Sequence, residues 1–132
     1  MHGKCCLGMI VDLGYYLSAA IALTIVLIGV FFFVAPYAAA EGFGVTVIRD
    51  THWDAYLSVK AIRDIGAGIF IAILILNRSG QLLGFFLLAS TIIPLTDAVI
   101  VLKHGGTRAT AFGIHGTTAG IILMTSGLLL LG

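Results

Sequence analysis

Four apolar runs, each near the roughly 20 residues that cross about 30 Å of hydrocarbon, dominate this chain and leave room for little else. They occupy residues 13–34, 57–76, 82–102 and 109–131. Lipid offers no hydrogen bonds to a bare backbone, so runs of this length without strand alternation are expected as helices. The expected fold class is therefore an all-α membrane protein. It is a four-transmembrane-helix antiparallel bundle with a long first interhelical loop, forming one domain over residues 1–132. Hydrophobic residues make up 60% of the chain, charged residues only 10%, and the mean hydropathy is +1.14, a balance that excludes an ordinary soluble domain. A net charge of +1 without a basic run also excludes nucleic acid as a partner, because phosphate neutralisation needs clustered Lys and Arg. The first run is too long for the 7–15-residue apolar core of a signal peptide, although Ala38-x-Ala40 imitates a cleavage site.

The connections are unequal. Residues 77–81 and 103–108 are tight turns, which predicts that helices two and three, and helices three and four, are antiparallel neighbours. The first connection, residues 36–56, exceeds the usual loop length and holds Gly42-Phe43-Gly44, the β-prone run Val45-Thr46-Val47-Ile48, and then Arg49, Asp50, His52, Trp53, Asp54 and Tyr56. Its aromatic residues suit a strap at the headgroup level, and its length suits a lid over a pocket. Arg49, Lys60, Lys103 and Arg108 fall towards this loop's face, against Lys4 and Arg78 on the other. The positive-inside rule then places both termini on the same, non-cytoplasmic side.

Ionisable residues inside the apolar runs mark either a structural network or a functional pocket. Arg63 and Asp64 follow Leu57 by six and seven residues, Asp97 precedes Leu102 by five, and His115 follows Ala109 by six. At about 1.5 Å per residue, all four are expected roughly 7–11 Å inside the long-loop face, in one layer. Lys60 stands one helical turn before Asp64, at pairing distance. Pro94 cannot donate to the carbonyl of Ser90 and is expected to kink helix three just before Asp97, with Ser90, Thr91 or Thr96 available for local hydrogen bonding. Gly66 and Gly68, Gly80 and Gly84, and Gly116 and Gly120 are the small residues expected at helix-packing faces.

The run Ile62-Arg63-Asp64-Ile65-Gly66-Ala67-Gly68, then Pro94-Leu95-Thr96-Asp97, then His115-Gly116 resembles a family of small four-helix integral membrane proteins catalogued as a domain of unknown function, and more distantly the DoxX-like bundles. The resemblance covers residues 56 onwards. It implies a compact four-helix membrane bundle and carries no established chemistry with it.

Three functions are compatible with these residues. In the first, Lys60, Arg63, Asp64, Asp97 and His115 form a salt-bridge and hydrogen-bond network that fixes helix register. The protein is then a structural or accessory component, associating with itself or with other membrane subunits. In the second, it is a small membrane enzyme acting on a lipophilic substrate. Asp97 or Asp64 is then the base, His115 the acid or proton shuttle, and Arg63 the stabiliser of developing negative charge, as isomerisation, cyclisation or epoxide opening would require. In the third, Asp64, Asp97 and His115 are stations for a proton or ion, although the far halves of the helices offer almost no polar residues to extend the path. No cofactor motif is present, and His52, His104 and His115 lack metal-ligand spacing, so neither a cofactor nor a metal is expected. Cys5 and Cys6 have no CxxC spacing and are expected as free thiols.

Overall fold

A computed structural model describes residues 2–49 and 51–132, with side chains from Leu7 onwards except that of Thr51. Asp50 and the thiols of Cys5 and Cys6 therefore lie outside the described residues and side chains. The described residues are helical apart from short connections. In chain order the elements are α1 (His2–Val34), α2 (Pro36–Phe43), α3 (Thr51–Leu76), α4 (Gly80–Ser90), α5 (Ile92–Lys103), α6 (Arg108–Thr110), a π-helical turn (Ala111–Gly116) and α7 (Thr117–Leu131).

Three stretches are both long and apolar enough to cross a membrane: Leu7–Val34, Gly80–Lys103 and Arg108–Leu131. The third combines α6, the π turn and α7. α3 has the length, at 26 residues, but carries Lys60, Arg63 and Asp64 within its apolar run. The protein is thus all-helical with three candidate spans and a fourth long helix that is more polar.

The long connection departs from the expected loop. Pro36, with its fixed φ and missing N–H, starts α2 directly after α1, where both properties are tolerated. Gly44 ends it in the left-handed conformation, at φ 98°, with its N–H on the Glu41 carbonyl and that of Val45 on the Ala40 carbonyl. This paired closure satisfies carbonyls that a helix end otherwise leaves bare. The run Val45 to Ile48 forms no strand, because no second strand is present among the described residues to pair with it. α3 begins at Thr51, six residues earlier than the apolar run suggests. Tyr37 Oη donates to Asp54 Oδ1 at 2.7 Å and ties the short helix to α3.

The packing order also differs from the chain order. α1 lies along α3 for most of its length, α7 packs on both α1 and α4, and α5 meets the π turn. α3 and α4 touch only sparsely, and α3 and α5 hardly at all. The tight turn at residues 77–79 joins helices two and three without making them packed neighbours. A turn constrains only the ends, and here the pair splays away from it.

Close approaches explain which faces meet. A Cβ at Gly68 would strike Val26 and lie 2.9 Å from the Ala22 carbonyl oxygen; one at Gly29 would lie 2.7 Å from the Ala61 carbonyl oxygen. These two glycines let α1 and α3 come together. Gly84 lies against Leu129 and Leu130, and its carbonyl accepts a 2.8 Å bond from the buried Ser126 hydroxyl, which fixes α4 on α7. Gly80 faces the Tyr15 hydroxyl. Gly66 and Gly120 have open space beside them, and Gly116 meets only its own helix at ordinary distance. The lower core gathers Ala22, Ile71, Leu74, Leu83, Leu87, Ile122 and Leu129. Two smaller clusters, one around Phe32, Ala39, Ala40, Leu57 and Ala61 and one around Ala98, Val101 and Ala111, seat α2 at the other end.

Candidate functional site

Between the lower core and α2 the helices enclose a cavity of about 370 Å³. Its back wall is α1, with Ile25, Ile28 and Phe32, together with Ile114, Thr118 and Ile122. Its cap is α2, through Ala39, Gly42 and Phe43, and its two flanks are α3 and α4/α5. The volume falls in the range of small-molecule pockets, and apolar side chains with a few polar groups form the lining typical of such sites.

Four sequence-derived residues meet in this cavity: Lys60, Asp64, Asp97 and His115 all line it. Arg63 does not. One residue step, about 100° around α3, turns it to the exposed outer face, and among the described residues it forms no ion pair or hydrogen bond. The expected pairing of Arg63 with Asp97 is therefore not made. Lys60 takes the carboxylate within its own helix, with Nζ 2.8 Å from Asp64 Oδ2. The same ammonium lies 4.7 Å from the centre of the Phe32 ring and 5.0 Å from that of Phe43. Lys60 thus joins α1, α2 and α3 at one point, with each ring contact worth about 0.5–2 kcal/mol according to its exposure.

His115 is 5% exposed and reaches the cap instead of a carboxylate. Its Nε2 lies 3.0 Å from the Phe43 carbonyl oxygen, and its ring stands edge-on to the Phe43 ring at 4.4 Å. A carbonyl only accepts, so Nε2 carries the hydrogen and a neutral ring keeps Nδ1 as its acceptor. The wide turn at Ala111–Gly116 directs this residue inward, since a turn of this kind inserts an extra residue and re-aims the side chains on its C-terminal side.

Asp97 is half-buried and, among the described residues, has no hydrogen bond or ion pair. Its electrostatic neighbours are Lys60, His115 and Asp64. Pro94 lines the cavity one turn earlier, where the chain breaks step between α4 and α5 at Thr91. The expected hydroxyls turn back onto their own helices: Ser90 on the Phe86 carbonyl, Thr91 on that of Leu87 and Thr96 on that of Ile92. None of them reaches the carbonyl that Pro94 frees. Among the described residues no group of His, Cys, Asp and Glu is arranged to hold a metal ion.

A family model of a domain of unknown function, DUF4267, matches residues 22–129. The chain belongs to this family. The DUF4267 match spans every cavity-lining residue except Ile21, so the site lies within the shared domain. It provides no link to the DoxX-like bundles. No curated protein and no solved structure matches the chain.

Phe43, Phe32 and Ser90 are the cavity residues that sequence reasoning missed. Phe43 is visible in the sequence only as the middle of Gly42-Phe43-Gly44 in an expected loop. Its two roles, a ring over Lys60 and a carbonyl under His115, depend on a helix that hydropathy does not reveal.

Proposed function

We propose that this DUF4267 protein is a single four-helix transmembrane domain that binds a lipophilic molecule in the cavity between α3 and α5. The observation that carries this reading is a cavity holding Asp97 without a partner among the described residues. A carboxylate inside an apolar span needs a counterpart, and a ligand supplies one. In this reading α3 crosses with the other three helices, its charges turned to the cavity or, for Arg63, towards the headgroups by snorkelling. Both termini then share the non-cytoplasmic side. The flanks supply the access: Ile93 is 54% exposed, and the side chains of Lys60 and Asp64 are 30% and 17% exposed, whereas Ile71, Leu87 and Ile122 behind them are buried. A site reached between two flanks of the bundle takes its ligand sideways, from the bilayer. Asp97 and the Nδ1 acceptor of His115 also suit acid-base chemistry on that molecule, which is the catalytic form of the same reading.

Photolabelling tests it. A long-chain alcohol bearing a diazirine in its tail, added to the protein in nanodiscs, is expected to label the cavity wall at Ile25, Ile71 and Ile122. Ala67→Phe, which fills the cavity from α3, should abolish that labelling. Equal labelling of the outward Leu23 and Leu123, unchanged by Ala67→Phe, would overturn the reading.

Self-association is the second reading, favoured by the outward Arg63 beside the open Gly66 and by the open Gly120. Arg63 would then find its partner on another subunit, a homo-oligomer or a larger membrane complex. Native mass spectrometry from nanodiscs decides it: a dimer or higher oligomer lost in Arg63→Leu supports the reading, and a monomer at all concentrations sinks it.

A further inference from the structure

The charged groups that line the cavity do not balance. Two carboxylates, Asp64 and Asp97, share it with one ammonium, Lys60, because Arg63 points outwards. Asp64 already holds Lys60 at 2.8 Å, and the Nε2 hydrogen of His115 is given to Phe43. The layer is therefore one positive charge short, and the shortfall falls on Asp97. An uncompensated carboxylate in a low-dielectric cavity is far less favourable than a paired one, and no cation of the described lining remains to pair it. The lining opposite is apolar and aromatic, including the face of Phe86, which suits a hydrocarbon body and the positive edge of an ammonium group.

We propose that the cavity's ligand is a lipophilic monocation, an apolar body with one protonated amine, docked on Asp97. The proposal rests on the reading of the cavity as a lipophile site and adds the charge class of its occupant. An anionic lipophile would set its own charge against Asp97, with Lys60 already engaged. A neutral alcohol would bond the carboxylate but leave its charge uncompensated.

Three diazirine probes with the same tail separate these cases: a tertiary amine, an alcohol and a carboxylate. Their labelling of Ile71 and Ile122 in nanodiscs is titrated for the unaltered protein, Asp97→Asn, Asp97→Glu and Arg63→Gln. The amine is expected to bind at least about tenfold more tightly than the alcohol, as a charge-assisted pair would give, and the carboxylate more weakly than both. Asp97→Asn should bring the amine to the level of the alcohol, while Asp97→Glu and Arg63→Gln preserve its advantage. Asp97 bonds no other described residue, so its loss leaves the fold intact. Alcohol labelling within the cavity that matches or exceeds amine labelling, or an amine affinity indifferent to Asp97→Asn, overturns the charge class and leaves the cavity reading standing. Cavity labelling by none of the three overturns both.

Discussion

Gly29→Val is expected to lower the stability of the detergent-solubilised protein by about 3 kcal/mol, the upper end of the usual overpacking cost. The reason lies in the atoms that an added side chain would meet. A Cβ at Gly29 stands 2.7 Å from the Ala61 carbonyl oxygen and 3.0 Å from the Ile65 backbone nitrogen, so relief requires moving α3 itself. Side chains rotate away from a clash, whereas helix backbones must separate. Separation along this line would remove Ala61, which is fully buried, from its place beneath α2. Gly66→Val serves as the control, since nothing lies within reach of a side chain there and the same change on the outer face of α3 should cost well under about 1 kcal/mol. Thermal or SDS titration of the two variants gives the comparison. Equal stability would mean that α1 and α3 do not pack through Gly29.

His115→Leu should release the cap. The substitution removes the donor to the Phe43 carbonyl and so leaves a buried acceptor unpaired, at a cost of about 1–3 kcal/mol. It also removes the ring on which Phe43 rests and loosens one of the two aromatic faces over Lys60. The effect should be local. Amide hydrogen exchange over Ala39 to Val45 is expected to accelerate, while α4 and α7, held by Ser126 on the Gly84 carbonyl, stay protected. His115→Gln retains a donor and should recover part of the protection. Uniform acceleration throughout the chain would show that His115 holds the whole bundle, and unchanged exchange in α2 would show that it does not hold the cap.

The long apolar helices and the inward layer are legible in the sequence because they depend on quantities it carries directly. Run length predicts helices, and counting residues from helix ends brings Lys60, Asp64, Asp97 and His115 to one level. Azimuth is less legible. Arg63 and Asp64 differ by one residue in depth and by about 100° in direction, and only the packing of α1 onto α3 decides which of them faces inward. Glycine motifs are equally ambiguous: Gly68 and Gly84 sit at close approaches, whereas Gly66 and Gly120 present the same spacing to open space. α2 escapes notice because eight residues bounded by Pro36 and Gly44 are too short for an apolar period to stand out. The gap between α3 and α5 is hidden for a different reason. A short turn promises adjacent helices, but large-scale splay depends on side-chain volumes across faces that no local pattern records.

The wide turn at Ala111–Gly116 gives the last span a change of phase. A regular helix over the same residues would advance about 100° per residue without the extra one and would hold a single azimuth rule from Arg108 to Leu131. Under that rule a span that aimed its upper half at the α2 cap would carry its lower half past α4. The inserted residue resets the angle between the two halves, so that His115 meets the Phe43 carbonyl while Ser126, eleven positions later, meets that of Gly84. The number of residues in this turn, more than the identity of any one of them, lets one helix serve two differently oriented surfaces.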